Sequence, residues 1–366
     1  MAKTTPPRAV ELELSLFGPG IGECLVVHLG SGYWMVVDSC LDQSGDKPVA
    51  LAYLEQLGVD VSRQIKLVVV THWHDDHIRG ISQVLQRASS ARFACSAAIQ
   101  SKEFLALVCA HDEIKLVEHT SGFSELAEVL AILQARTPGP FRSGPDFWAI
   151  EGQCLYSGAP TDDVEVHALS PSSQTVTDSK GGLGTRLPLS GEPIRRFAGV
   201  APHDLSVALL VKTTDMHLLL GADLENGRDD RRGWRAVVGS AVRPKVMSSG
   251  YKVAHHGSQN ADLEELWTTL VAKNSRAVLT PYARGRKPRP ADDDVRRIKA
   301  KTPHLYCTVW PATERPPGRN TDRTMNQMTR FRRAVSKRPG HIRLRVPFRG
   351  SLDDISIELF DGARRL

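Results

Sequence analysis

The stretch Ile65-Lys66-Leu67-Val68-Val69-Val70-Thr71-His72-Trp73-His74-Asp75-Asp76-His77 decides how this chain is read. Its first half is a short, β-branched apolar run flanked by polar residues, which predicts a buried strand. Its second half packs three histidines and two aspartates into six positions. That half is a loop at the C-terminal end of a strand, where α/β folds place their chemistry. Imidazole nitrogens and carboxylate oxygens are the usual donors for zinc and similar divalent ions. His72 and His74, two positions apart, point the same way from an extended loop, and Asp76 and His77 turn toward a neighbouring position. One loop thus supplies ligands to two adjacent metals. A histidine-rich surface loop would need density, order and context to coincide. His28, alone in the apolar run Leu25-Val26-Val27-His28-Leu29, reads instead as structural.

Working outward, residues 11–38 read as a strand meander that ends at Asp38, with turns at 17–22 and 30–32. Pro48 to Leu57 and Ile78 to Arg87 read as helices. Residues 90–165 are less regular and read as an insertion, lid-like, with helical patterns at 104–108 and 126–135. Val164 to Leu169 is a strand, and Ser172 to Ala201, rich in Gly, Ser, Pro and Thr, reads as a long loop. The strands Leu205 to Lys212 and Met216 to Leu220 follow, the second running into Gly221-Ala222-Asp223. Tyr251 to Ala254 precedes His255-His256-Gly257-Ser258. Asp262 to Ala272 reads as a helix, Ala277 to Thr280 as a strand and Asp292 to Lys299 as a helix. A strand near 305–309, a basic helix near 324–335 and a strand near 355–359 close the chain. Strands followed by helices in two successive halves predict two sheets sandwiched between helices. Ligands at several strand ends then converge on one edge.

The chain has 366 residues, enough for one large α/β domain with appendages, and its 41% hydrophobic and 24% charged content is ordinary for a globular protein. No apolar stretch approaches the ~20 residues of a membrane span. The N-terminus has no apolar signal core, so a cytoplasmic protein is expected. The six cysteines form no C-x-x-C pair, which argues against a cysteine zinc site or a redox motif. The net charge of +6 is unevenly spread: Arg228, Arg231, Arg232 and Arg235 cluster, as do Arg284, Arg286, Lys287 and Arg289, and the C-terminal part is rich in arginine. Such clusters are either solvated faces or an electrostatic footprint for phosphate-rich polymers.

Asp38, the 72–77 loop, Asp223 and His255-His256 each follow a strand, and in that order they resemble the metallo-β-lactamase-fold hydrolases. Within that group the chain looks like the hydrolase domain of ComEC-type competence proteins and their free-standing relatives. The stretches that carry this are Leu16-Phe17-Gly18-Pro19-Gly20-Ile21-Gly22-Glu23, Leu219-Leu220-Gly221-Ala222-Asp223 and Lys252-Val253-Ala254-His255-His256-Gly257-Ser258. The resemblance implies an α/β fold, an αββα sandwich of two mixed β-sheets flanked by helices. It implies a hydrolase domain over 1–310 and a basic C-terminal extension over 311–366 that completes or packs on the core.

The resemblance also implies one or two Zn²⁺ ions, or Mn²⁺, with His72, His74 and Asp223 on the first and Asp76, His77, Asp223 and one of His255 and His256 on the second. It favours His256 as the ligand and leaves His255 to contact substrate oxygens. Asp76 would orient the nucleophile, and Asp38 would support a ligand without touching metal. Lys252, Ser258 and Lys287 are candidate substrate contacts. The chain departs from the family pattern at Arg79, at Ala222 between Gly221 and Asp223, and at Lys287, where relatives often carry histidine. The third-motif histidine is open among His167, favoured for its place at a strand end, His111, His119 and His203. The function implied is phosphodiester hydrolysis on nucleic acid or nucleotide through a metal-activated hydroxide. Hydrolysis of a small-molecule ester, lactone or phosphoester is the alternative, as is a weakly catalytic component of a multi-protein, defence-type assembly.

Overall fold

Ile65–Val70 forms a strand, and the unbroken apolar run Leu67 to Val70 within it has a simple cause: both faces are covered there. Leu67 and Val69 pack in the layer between two sheets, while Val68 and Val70 pack with helices on the outside. The computed structural model describes residues 5–18, 22–42, 44–99, 122–136, 145–158, 163–184, 202–283, 288–309 and 340–366. Its strands are β1 (Glu11–Gly18), β2 (Cys24–His28), β3 (Trp34–Val37), β4 (Ile65–Val70), β5 (Arg92–Ser96), β6 (Phe147–Ala149), β7 (Cys154–Ser157) and β8 (Glu165–Ala168). They continue with β9 (Leu209–Lys212), β10 (His217–Leu220), β11 (Ser248–Lys252), β12 (Val271–Leu279), β13 (Leu305–Cys307), β14 (Gly340–Pro347), β15 (Ser356–Phe360) and β16 (Arg364–Arg365). One eight-stranded sheet has the order β15-β14-β1-β2-β3-β4-β5-β6, and the other β16-β13-β12-β11-β10-β9-β8-β7.

Three apolar layers hold these sheets. Leu12, Leu14 and Leu16 of β1 meet Leu209, Val211, Leu218 and Leu220 of the second sheet in the middle layer. The outer face of the first sheet is covered by the helices Val49–Gln56, Ile81–Arg87 and Gly122–Arg136. Trp234, Trp267, Val295 and Ile298 cover the outer face of the second. The result is the four-layer α/β sandwich of two mixed sheets flanked by helices. No helix among the described residues is long and apolar enough to cross a membrane.

Strands β3 to β6 run parallel to one another, as do β10 to β13, so within each set the C-terminal ends share an edge. Val207 N, just ahead of β9, donates to Thr71 O beyond β4 at 3.1 Å and ties the sheets there, while Asp223 N donates to Ser206 Oγ at 3.2 Å within the second sheet's own edge.

Several sequence expectations change. Residues 90–165 are not wholly an insertion, since β5 and β6 extend the first sheet and β7 pairs with β8 in the second. The proposed helix at 104–108, together with His111 and His119, lies outside the described residues, as does the basic helix at 324–335. Ser173–Gly184 is helical where a loop was expected. Ser172 Oγ accepts from Thr175 N at 3.2 Å to start it, and buried Val176 docks it on the core. The helix expected over 262–272 stops at Thr269, because β12 begins at Val271. The helix after the histidine loop is broken at Gly80, whose φ of +78° suits glycine. The C-terminal Gly340–Pro347 is an interior strand, paired with β1 on one side and β15 on the other.

Candidate metal centre

Four tight turns after strands deliver the candidate ligands, and non-glycine residues in three of them sit at positive φ: Asp38 at 57°, Ala222 at 45°, His255 at 45° and His256 at 53°. Such conformations cost of order 1–3 kcal/mol each and persist where the surroundings impose them, most often at functional sites. Gly221 permits a close approach of two of these turns, since a Cβ there would lie 2.9 Å from Ala254 Cβ and from Lys252 O.

The donors gather in overlapping groups. His72, His74 and His203 form one, Asp76, His77 and His256 another, and His203, Asp223 and His255 a third, with the ligand atoms of each within 4.8 Å of one another. Asp223 is the hub. Its Oδ2 lies 3.9 Å from His72 Nε2, 3.8 Å from His203 Nδ1 and 3.6 Å from His256 Nε2. Its Oδ1 lies 3.5 Å from His77 Nε2. Asp76 Oδ2 sits 3.8 Å from His77 Nε2 and 3.6 Å from His256 Nε2.

Hydrogen bonds on the far side of three rings fix which nitrogen is free. Asp38 Oδ2 is 2.7 Å from His77 Nδ1, so that nitrogen carries the proton and Nε2 faces Asp223. Thr71 Oγ1 donates its one proton to Asp38 Oδ2 at 2.7 Å and therefore accepts from His72 Nδ1 at 3.0 Å. Thr280 O accepts from His256 Nδ1 at 3.0 Å. All three imidazoles thus turn a lone pair on Nε2 into the same space, the arrangement that supports metal ligation. Asp38 is held in turn by Thr71 N at 2.8 Å.

The electrostatics fit a cation. His72 Nε2, His77 Nε2, His203 Nδ1, His255 Nδ1 and Asp223 Oδ1 are buried without a hydrogen-bond partner. Buried polar atoms normally have partners, and a divalent ion would satisfy these together. Burial opposes charge on His77, yet Asp223, Asp76 and Asp38 hold its pKa well above the ordinary imidazole value, so without metal Nε2 holds a proton that a bound cation would displace. Burial alone would raise Asp76, but the His77 charge and a hydrogen bond from His256 bring it down to about 2. Burial also works against charge on Asp223, yet His77 and His256 hold it well below the carboxylate range. The carboxylates therefore stay ionised and draw positive charge inward. Burial, then repulsion from neighbouring imidazoles (His203 on His74, His255 on His203), keeps His74 and His203 neutral, each near a pKa of about 4. The residues present fit a two-cation site.

His203, not the favoured His167, joins His72 and His74. His167 projects elsewhere, its Nε2 3.0 Å from Glu165 Oε2. The sequence signal for His203 was its place just ahead of the strand pair β9 and β10, the second of which leads to Asp223. Lys252 and Ser258 are both buried and are not placed as substrate contacts. Lys287 lies outside the described residues. His255 stands at the rim, with its side chain 18% exposed and Nδ1 3.4 Å from Glu225 Oε1. Thr71, Thr280, Glu23 and Glu225 were not singled out from sequence, because their roles depend on chain segments far away.

Residues 17–176, which include the histidine loop, match the family model described as the metallo-beta-lactamase superfamily. No curated protein matches the chain. Among solved structures, the chain is similar to the Rm3 metallo-beta-lactamase at 15% identity and a TM-score of 0.30, covering 60% of this chain and 64% of that one. It is similar to BJP-1, a subclass B3 metallo-beta-lactamase of Bradyrhizobium japonicum, at 16% identity and a TM-score of 0.34, over 63% and 70% of the two chains. It is also similar to the metallo-beta-lactamase SMB-1 bound to 2-mercaptoethanesulfonate, at 14% identity and a TM-score of 0.35, over 70% and 82%. The chain spans 64% of the length of the first of these, under two thirds. The residues matched to that family model, under half of the chain, take in the histidine loop and strands β2 to β8.

Proposed function

We propose that this chain is a metal-dependent hydrolase, with phosphodiesters of nucleic acids or nucleotides as its substrate class. The observation that carries the hydrolase reading is the pair of three-donor groups that share Asp223 as a hub. Bound zinc or manganese would supply a hydroxide at neutral pH, by lowering the pKa of water from about 16 to about 7, and would neutralise charge on substrate oxygens. The chain's own residues do the rest. Asp76, ionised and 15% exposed, faces the opening and can orient a nucleophilic water. His255, backed by Glu225, is positioned at the rim to meet a substrate oxygen. His203 and His74 line the same side.

The phosphodiester reading draws support from Arg228, Arg231 and Arg235, exposed on the segment directly after Asp223. Arg228 acts on Asp204, the neighbour of His203, so basic charge reaches the rim. A second reading, hydrolysis of a small ester, lactone or phosphoester, draws on the fate of other arginines. Arg232 pairs with Asp178 and Asp229, Arg289 with Asp294, Arg343 with Glu358 and Arg345 with Glu13. Those charges are committed within the fold and leave a smaller footprint for a polymer. The test is cleavage of single- and double-stranded DNA and RNA, beside a panel of small phosphodiesters, lactones and thioesters, with Zn²⁺ or Mn²⁺ added. Metal-dependent cleavage of a nucleic acid or phosphodiester, lost in His74→Ala, supports the first reading. Turnover confined to lactones or thioesters supports the second. No hydrolysis by a protein that retains its metals would contradict both, and would favour a binding role in an assembly.

A further inference from the structure

Lys252 ends β11 as a cation with no exposed surface, and Glu23 opposes it with none either. Lys252 Nζ lies 2.5 Å from Glu23 Oε1, 4.0 Å from Asp223 Oδ1, and donates to Ala222 O at 3.0 Å. Ala222 O also accepts from His255 N at 2.9 Å. Glu23 N donates to Asp76 O at 2.8 Å, and Glu23 Oε2 accepts from Thr280 Oγ1. Thr280 O in turn holds His256 Nδ1 at 3.0 Å. This one ion pair therefore reaches the backbone that carries Asp76, the left-handed turn that presents Asp223, and the residue that orients His256.

Stability alone does not account for such a pair. Two charges taken out of water regain by mutual attraction roughly what desolvation costs, and apolar residues of similar volume often do as well or better. Buried pairs of this kind earn their place when they fix one arrangement over others. We infer that Lys252 and Glu23 are positioning residues for the cation group Asp76, His77 and His256, and not substrate contacts. The inference rests on the metal-centre reading above. Lys252 sets a fixed positive charge beside Oδ1 of Asp223, which helps offset the negative charge of Asp38, Asp76 and Asp223. Glu23 links the start of β2 to Thr280, just past β12, across the edge where the two sheets meet.

The test is a Co²⁺ and Zn²⁺ titration of the full chain against a competing chromophoric chelator, with the cobalt absorption spectrum read for each equivalent. The variants are the charge-free pair Glu23→Gln/Lys252→Met and the single change Thr280→Val, with circular dichroism to confirm folding. The wild type is expected to bind two equivalents. In the pair variant one of the two equivalents should lose at least tenfold in affinity, with an altered cobalt spectrum, while the other changes less than threefold. Should the pair variant fail to fold, Thr280→Val carries the test and should show the same selective loss. Two equivalents with wild-type affinity and unchanged spectra in a folded variant would overturn the inference and leave the metal centre standing. A wild type that binds fewer than two equivalents would overturn it together with the dinuclear reading.

Discussion

Asp223 concentrates the chemistry of this chain in one carboxylate, because its two oxygens lie 3.5–3.9 Å from donors of both three-residue groups. Asp223→Ala should therefore strip both cations at once, read as metal content per chain after dialysis. Retention of two equivalents would contradict its role as hub. Asp38→Asn should act more mildly, since Asp38 acts through other side chains, setting the His77 ring directly and the His72 ring by way of Thr71. Loss of such a supporting contact typically costs about 10–100-fold in metal affinity. His167→Ala should change neither metal content nor activity, because that side chain is committed to Glu165 away from the centre. At this scale the sequence was informative where ligands are adjacent in the chain, as at His72, His74, Asp76 and His77. It was silent where one side chain acts through another, so Glu23, Thr71 and Thr280 went unmarked. His203 lay between, named among the candidates but placed behind His167, because its partners come from a segment some 130 positions earlier.

Elements explain what pattern reading missed. The segment His341-Ile342-Arg343-Leu344-Arg345-Val346 alternates with period two, yet its arginines made it look like part of a basic surface. In the fold it is β14, with Ile342, Leu344 and Val346 in the inter-sheet layer and Arg343 and Arg345 on the opposite face. His341 stacks between Phe17 and Phe360. Burial, helped by Arg343 and Arg345, pushes its pKa down to about 3. The unfolded chain takes up this proton near pH 6.5 and the folded chain does not, so stability must fall as pH drops from about 6.5 toward about 3. His341→Phe should remove that slope. Urea unfolding at pH 7 and pH 4.5 should show the variant losing about 2–3 kcal/mol less than the wild type over this interval. Equal losses would show that His341 is not held neutral. Glu125 offers a second check, since its carboxylate accepts from Gly80 N at 2.7 Å and Ser82 N at 3.2 Å, where the helix after the histidine loop begins. Glu125→Ala should lower stability by about 1–2 kcal/mol in denaturant titration. No change would mean the cap is not made.

At the scale of the whole molecule, the centre is built where two sheets meet. The first contributes His72, His74, Asp76 and His77 beyond β4, and the second contributes Asp223 beyond β10 and His256 beyond β11. Cations bound there would cross-link the sheets and stabilise the folded state by mass action. Chelator treatment should therefore lower the melting temperature by several degrees, with recovery on adding back Zn²⁺ or Mn²⁺. An unchanged melting curve after verified metal removal would contradict the cross-link. The four-layer architecture was legible because strands ending in ligands recur in both halves of the sequence. The first strand of the C-terminal segment was not, because it pairs with β1 across more than 300 positions. The most direct test of the whole account is anomalous diffraction at the zinc edge from crystals of the full chain grown with zinc. Two peaks are predicted, each about 2.0–2.2 Å from the facing nitrogens and carboxylate oxygens, one within His72, His74, His203 and Asp223 and one within Asp76, His77, His256 and Asp223. No peak at this edge of the sandwich, with the imidazoles turned away from Asp223, would contradict it.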